Sequence, residues 1–180
     1  MKHTGDRGVF LITGVMASGK STVAQQFAEK LNRGVHLRGD TFRKMIVSGR
    51  EEMVPGASDE ALRQLRLRYQ IASSAADTYF DAGFNVVLQD VMIGTMLQDV
   101  IHMIRSRPLY VIVLTPSREA VAKREAERPK KGYGIWTIAD LDDQLRHGTP
   151  KIGMWIDTTE QTPEETVEQI WNCVWTEGRI

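Results

Sequence analysis

Several things are scarce in this sequence, and each scarcity excludes something. Cys173 is the only cysteine in 180 residues, so no intrachain disulfide can form, and the composition suits a reducing compartment. Its place on the apolar side of the last predicted helix makes it a buried, inert thiol. Neither sign of charge is in excess: 23 Lys and Arg balance 23 Asp and Glu, which leaves no global field for nucleic acid or anionic lipid. No apolar run approaches the roughly 20 residues of a membrane span. Lys2 and Arg7 ahead of the apolar stretch Val9 to Ala17 superficially resemble a secretory leader, but Gly14 and Lys20 interrupt it. His36 and His102 have no partner spacing for zinc, and no repeat, low-complexity tract or linker is present. The length suffices for one α/β domain with a full core and hardly for two, and a cytoplasmic location is expected.

What is present is a phosphate cradle. Gly14-Val15-Met16-Ala17-Ser18-Gly19-Lys20-Ser21 fits G-x-x-x-x-G-K-[ST]. The apolar run Val9 to Thr13 before it reads as a buried parallel strand, and 22–31 after it reads as a helix with Val23, Phe27 and Leu31 on one face. Glycines let the backbone turn tightly and aim N–H groups of Met16 to Thr22 at one anion, and the helix start near Lys20 adds its positive end. Lys20 can reach the outer phosphates of ATP, and the Ser21 hydroxyl can ligate Mg2+ held by those phosphates.

The rest of the chain alternates strands and helices. Strands are expected at 35–38, 85–89, 109–114 and 154–157. Helices are expected at 41–47, capped by Asp40, at 59–82, capped by Ser58, at 96–106 and at 118–127. Two more run from Thr137 to His147 and from the capping box Thr162-Pro163-Glu164-Glu165 onward. In the long helix Leu62, Leu65, Tyr69, Ala72, Ala76 and Tyr79 form one apolar seam. Five strands alternating with helices predict an α/β fold, a five-stranded parallel sheet with helices on both faces. Residues 1–180 read as a single domain, with a lid near 124–136 and a substrate-side segment near 40–82.

Polar residues that could act in phosphoryl transfer fall at strand C-termini, where ligands of open α/β sheets sit. Asp40 is the candidate for aligning or deprotonating an acceptor hydroxyl, and it can also cap its helix. Arg43, three residues on, shares its face and either holds a substrate group or is a surface arginine. Asp90 is a candidate Mg2+ ligand, with a substrate hydrogen bond or a cap as alternatives, and Asp157 is structural. Arg124 and Arg128, four apart beside a basic loop, either cover ATP in a lid or belong to a solvated helix paired through Glu119, Lys123, Glu125 and Glu127. Arg63, Arg66 and Arg68 do not share one face; at most two could converge on a substrate, and solvent exposure is the default expectation. Trp136, beside Tyr133, stacks on a ring in the lid or fills the core.

In this order the features resemble the P-loop small-molecule kinases related to adenylate kinase. Within them the chain is most similar to the chloramphenicol-phosphotransferase-like group, with gluconate kinase and adenylylsulfate kinase as relatives. Arg38-Gly39-Asp40-Thr41-Phe42-Arg43 resembles the Asp-Gly-Asp-x-x-Arg segment of adenylylsulfate kinase, with Arg38 in place of the first aspartate. Gln89-Asp90-Val91-Met92-Ile93-Gly94 is similar to the two-aspartate strand end of the chloramphenicol enzyme, with Gln89 replacing one aspartate. Arg124-x-x-x-Arg128 looks like a lid arginine pair. The resemblance implies strand order 2-3-1-4-5, Arg124 against the nucleotide and Arg128 against its phosphates.

The expected function is therefore ATP- and Mg2+-dependent phosphorylation of a hydroxyl on a small molecule, a metabolite or an antibiotic. A regulatory nucleotide switch is a second reading, but Thr115-Pro116-Ser117-Arg118 stands where guanine readers carry Asn-Lys-x-Asp. A kinase of polynucleotide ends is a third, and zero net charge argues against it.

Overall fold

The computed structural model describes residues 7–129 and 131–180, so Lys2 of the leader-like pattern and Lys130 of the basic loop lie outside the described residues. Five parallel strands, β1 (Val9–Thr13), β2 (Gly34–Arg38), β3 (Asn85–Gln89), β4 (Leu109–Leu114) and β5 (Met154–Ile156), form one sheet in the order β2-β3-β1-β4-β5. Central position explains the apolar stretches within β1, β3 and β4: every residue of all three is buried, the polar ends Thr13, Asn85 and Gln89 included. Edge strand β2 carries the mixed sequence Gly-Val-His-Leu-Arg and is only half-buried.

Because side chains alternate along a strand, successive residues feed two separate cores. Val9 and Leu11 pack with Tyr69, Ala72 and Ala76 of α3 (Asp59–Asp81) and Leu97 of α4 (Met96–Met103). Phe10 and Ile12 face the other way, against Phe27 of α1 (Lys20–Lys30) and Ile170 of α7 (Pro163–Cys173). Aromatic rings fill this second layer. Phe10 stacks on Tyr110 at 4.8 Å and meets Phe27 edge-on at 5.1 Å, and such pairs contribute about 0.5–1.5 kcal/mol beyond area burial. The remaining helices are α2 (Gly39–Lys44), α5 (Arg118–Glu127) and α6 (Ile138–Asp143). Among the described residues no helix is long and apolar enough to cross a membrane.

Several expected boundaries move, with visible reasons. Helix α2 begins earlier and ends sooner than 41–47, and Asp40 lies inside its first turn with no capping bond. Helix α4 stops at Met103 because Asp77 of α3 accepts the backbone N–H groups of Arg105 and Ser106, at 3.1 and 2.8 Å, and draws the chain away. The helix expected to reach His147 gives way after Asp143 to a π-helical turn, Gln144–Gly148. In α3 the seam is rotated at its ends: Leu62 and Tyr79 are exposed, and Ala61 and Phe80 are buried in their place. Cys173 is partly exposed rather than buried, with its thiol pushed up by burial and by Glu177.

Candidate functional site

The phosphate loop spans β1 and α1 at the C-terminal edge of the sheet. Gly14, at φ 151, leaves no room for a side chain: a Cβ would lie 2.7 Å from the Leu114 carbonyl and 2.8 Å from Ser18 Oγ. Ala17 takes positive φ, 58, and Gly19 is the N-cap of α1 at φ 92, with no side chain capping the helix. The first-turn amides of α1 are therefore free to meet an anion, with the helix dipole behind them. Lys20 is buried, and its Nζ donates to the Val15 carbonyl at 2.6 Å. Burial, then the charges of Arg128 and Arg68, lower its ammonium pKa from the ordinary 10.5 to about 7.

Opposite the loop, α2 and α3 build a charge cluster. Asp40 accepts from Arg43 Nε at 2.8 Å and pairs with Lys44 Nζ at 2.9 Å. Partial burial raises its carboxyl pKa, but the hydrogen bonds of Arg43 and Lys44 and the charges of Arg43 and Arg68 prevail and bring it to about 2. Arg43 also donates to both oxygens of Glu52, at 2.5 and 2.6 Å, tying α2 to the 48–56 loop.

Arg68 overturns the expectation of solvent exposure. Its side chain is only 12% exposed, it grips both oxygens of Asp90, one through Nε at 2.6 Å and the other through Nη2, and its Nη1 lies 3.8 Å from Asp40. Asp90 in turn is 4% exposed, against the backbone of Gly39, where any side chain would collide with its carboxylate. The Gly39-Asp40 pair thus allows close approach at its first residue and presents a carboxylate at its second. Asp90 faces Arg68 with both oxygens and does not line the cavity.

The segment after α5 crosses over the loop. Glu125, which one of the two sequence readings placed on a solvated helix, is buried: it accepts from the backbone of Gly132 at 2.5 Å and Tyr133 at 3.0 Å, and from Arg128 at 3.2 Å. Burial raises its pKa, but those bonds and Arg128 leave it lowered. Tyr133 Oη donates to the Met16 carbonyl at 3.0 Å, and Trp136 Nε1 donates to the Met53 carbonyl at 2.8 Å. The lid thereby touches both the phosphate loop and the 48–56 loop. Trp136 is partly buried: it packs against the core and also lines the cavity. Arg124 donates to the Thr158 carbonyl at 2.6 Å.

One cavity of about 1070 Å³ unites these parts. Met16 to Thr22, Asp40, Arg43, Arg124 and Arg128 all line it, whereas Gly14 shapes the loop from behind. The volume of about 1070 Å³ lies just above the roughly 300–1,000 Å³ of ordinary ligand clefts. Arg68, Glu125 and Tyr133 make contacts at this cavity that the sequence pattern does not show. The signal for Arg68 was its i, i+3 spacing from Leu65, which places it at the margin of the apolar seam.

A helix-opening phosphate loop at the C-terminal edge of a 2-3-1-4-5 parallel sheet defines a P-loop NTPase-type α/β fold. The chain belongs to the AAA domain family, whose match runs over residues 9–151. Similar solved structures include a sugar kinase from Janibacter sp. HTCC2649, at 19% identity over 93% of this chain and 94% of that one, with a TM-score of 0.69. The tunicamycin resistance protein of Deinococcus radiodurans is similar at 16% identity, 93% and 95% coverage and a TM-score of 0.66. A gluconokinase from Sinorhizobium meliloti 1021 is similar at 19% identity, 91% and 90% coverage and a TM-score of 0.61. At these identities the likeness concerns the fold. No curated protein sequence matches the chain.

Proposed function

We propose that the protein transfers the γ-phosphate of ATP to a hydroxyl of a small molecule, in the manner of the chloramphenicol-phosphotransferase-like kinases. The observation that carries this reading is that Asp40 lines the same cavity as Lys20 and Ser21, with Arg128 on the lid above them. The kinases among the structural neighbours support it.

In this mechanism the uncapped amides of α1 and the loop bind the β- and γ-phosphates, and Lys20 supplies a point charge. The hard-oxygen hydroxyl of Ser21 lines the cavity and would hold magnesium, which neutralises charge on the phosphate oxygens when bound. Asp90, enclosed by Arg68, holds that arginine in place rather than ligating the metal directly. Asp40 accepts a hydrogen bond from the acceptor hydroxyl. With a pKa of about 2 it is a weak base and acts mainly by alignment, which suffices where the transition state is loose and the proton leaves late. The hydroxyl oxygen forms its bond to the γ-phosphorus as the bond to the β–γ bridging oxygen breaks. ADP departs with that electron pair, and the proton passes through Asp40 to solvent. Arg128 offsets charge on the transferred group, and the lid excludes water.

The test is ADP release with ATP and magnesium across a panel of hydroxylated compounds, with products identified by mass spectrometry. Acceptor-dependent ADP is expected, and Asp40→Asn should lower kcat by about 100-fold while nucleotide affinity persists. A panel with no acceptor-dependent ADP would remove the kinase reading. Undiminished turnover in Asp40→Asn would remove the role of Asp40.

A further inference from the structure

Resting on the kinase reading, we propose that Gln89 is a further catalytic residue, whose side-chain NH2 donates to an oxygen of the γ-phosphate and offsets charge as that group moves to the acceptor. Three observations point there: where Gln89 stands in the sheet, which way it faces, and what its amide lacks.

Strand β3 runs between the two elements that carry the proposed chemistry. Its last residue, Gln89, is the Cα partner of Ile12 in β1 and of Arg38 in β2. Two residues beyond Ile12 the phosphate loop begins at Gly14, and two beyond Arg38 stands Asp40. Gln89 thus ends the strand that separates the loop from the proposed acceptor carboxylate. Alternation along the strand sets its face. Val86 and Leu88 pack toward α3, whereas Val87 packs toward α1 with Val23 and Phe27. Gln89 shares the face of Val87, and at the C-terminal edge of the sheet that face belongs to the first turn of α1. Asp90 turns the other way, into Arg68. Of the two polar residues at this strand end, Gln89 lines the cavity and Asp90 does not.

The hydrogen-bonding capacity of Gln89 is unmet. The residue is 6% exposed, yet among the described residues its side-chain amide makes no hydrogen bond. Asn85, at the start of the same strand, shows the ordinary outcome for a buried amide: it accepts from the Gly8 N–H at 3.0 Å and donates to the Asn32 carbonyl at 2.7 Å. The Gln89 amide is not sealed in the core either, and it opens on the cavity. Glu51, Thr95 and Gln144 line the same cavity but are exposed, so bulk water meets their polar atoms. A buried amide facing a cavity takes its partner from what the cavity holds. An amide suits a phosphate there, because it supplies a donor without a negative charge to repel the anion. Lys20 comes from the loop and Arg128 from the end of α5, which leaves the sheet side to Gln89. The amide keeps its hydrogens throughout. As the acceptor O–P bond forms and the bridging O–P bond breaks, ADP takes the electron pair and Asp40 passes the hydroxyl proton to solvent. The Gln89 N–H stays on a non-bridging oxygen, where the charge is spread.

The contact is read without turnover, on the full chain, by NMR of the side-chain amides in nitrogen-labelled protein. The Gln89 signal is identified by its absence in Gln89→Leu. ADP and the imido analogue of ATP are titrated in turn, each with magnesium. The Gln89 NH2 signal should move with the analogue and stay in place with ADP. In calorimetry, Gln89→Leu should bind the analogue about tenfold more weakly and ADP as the wild type does. Its kcat should fall by about 100-fold on any acceptor found. Gln89→Glu, nearly the same size, should bind the analogue more weakly still, since a carboxylate then faces the phosphate. A signal that moves equally with both nucleotides, or full analogue affinity in Gln89→Leu, overturns the proposal. So does tighter magnesium-dependent binding of the analogue by Gln89→Glu, which would make this side chain a holder of metal-bound water. An analogue-specific shift without acceptor-dependent ADP would keep the contact and discard the kinase reading. Acceptor-dependent ADP with an unmoved Gln89 signal would do the reverse.

Discussion

At the phosphate end of the cavity, the wall is a run of consecutive residues, Met16 to Thr22, and its working groups are mostly backbone amides. At the other end, where the proposed acceptor would sit, the wall is gathered from α2, α3, the segment after β3 and the segment after α5, and its charged side chains pair with one another. The first end depends on local backbone shape, and the second on which distant charges meet. Lys20 at one end is buried with no carboxylate partner among the described residues and feels the charges of Arg128 and Arg68, while Arg43 and Arg68 at the other are held by carboxylates.

This difference can be broken at either end. The largest effect is expected at the acceptor end, where Asp90→Ala leaves the Arg68 guanidinium buried without its partner. Loss of about 3–5 kcal/mol of stability is expected in denaturant titrations, and Asp90→Leu with Arg68→Leu should recover much of it. If the single variant is as stable as wild type, the pair does not anchor the acceptor wall.

At the phosphate end the trade runs the other way. Lys20 has a folded-state pKa depressed to about 7, so the folded chain binds fewer protons than the unfolded chain between that value and 10.5. Its contribution to stability is therefore least favourable below about pH 7 and improves as pH rises toward the unfolded value. Lys20→Met should lower kcat by about 100- to 1000-fold. The same change should leave the fold equally stable or stabilise it by about 0.5–2 kcal/mol at neutral pH. Nucleotide phosphate favours the ammonium, so ATP binding at pH 8 should take up roughly one proton. Calorimetry in buffers of different ionisation enthalpy measures that uptake, and an uptake of zero would contradict the depressed pKa.

The smallest effect belongs to the lid that joins the two ends. Tyr133→Phe removes only the hydrogen bond to the Met16 carbonyl and should cost about 0.5–1.5 kcal/mol, seen chiefly as a higher KM for ATP. A change in acceptor KM alone would mean that the lid serves the other end.

What could be read from the chain follows the same division. The phosphate loop, the central strands and the Ser58 and Thr162 caps are short-range patterns, each contained within a few residues. Helix ends were less legible, because a distant group such as Asp77 can end α4 by binding the backbone beyond it. The roles of Arg68 and Glu125 were hidden for a related reason. Both look like ordinary helix-surface charges until the partner is known, and the partners, Asp90 and the backbone of Gly132 and Tyr133, arrive from other elements.

By itself, then, the sequence determined where an anion can be cradled and which strands are buried, since backbone turns and apolar runs are set by neighbours along the chain. Only the tertiary structure decided which carboxylate faces the cavity and which is closed off behind an arginine. Charge pairing acts through space, and β3 and α3 must pack before Asp90 and Arg68 can meet.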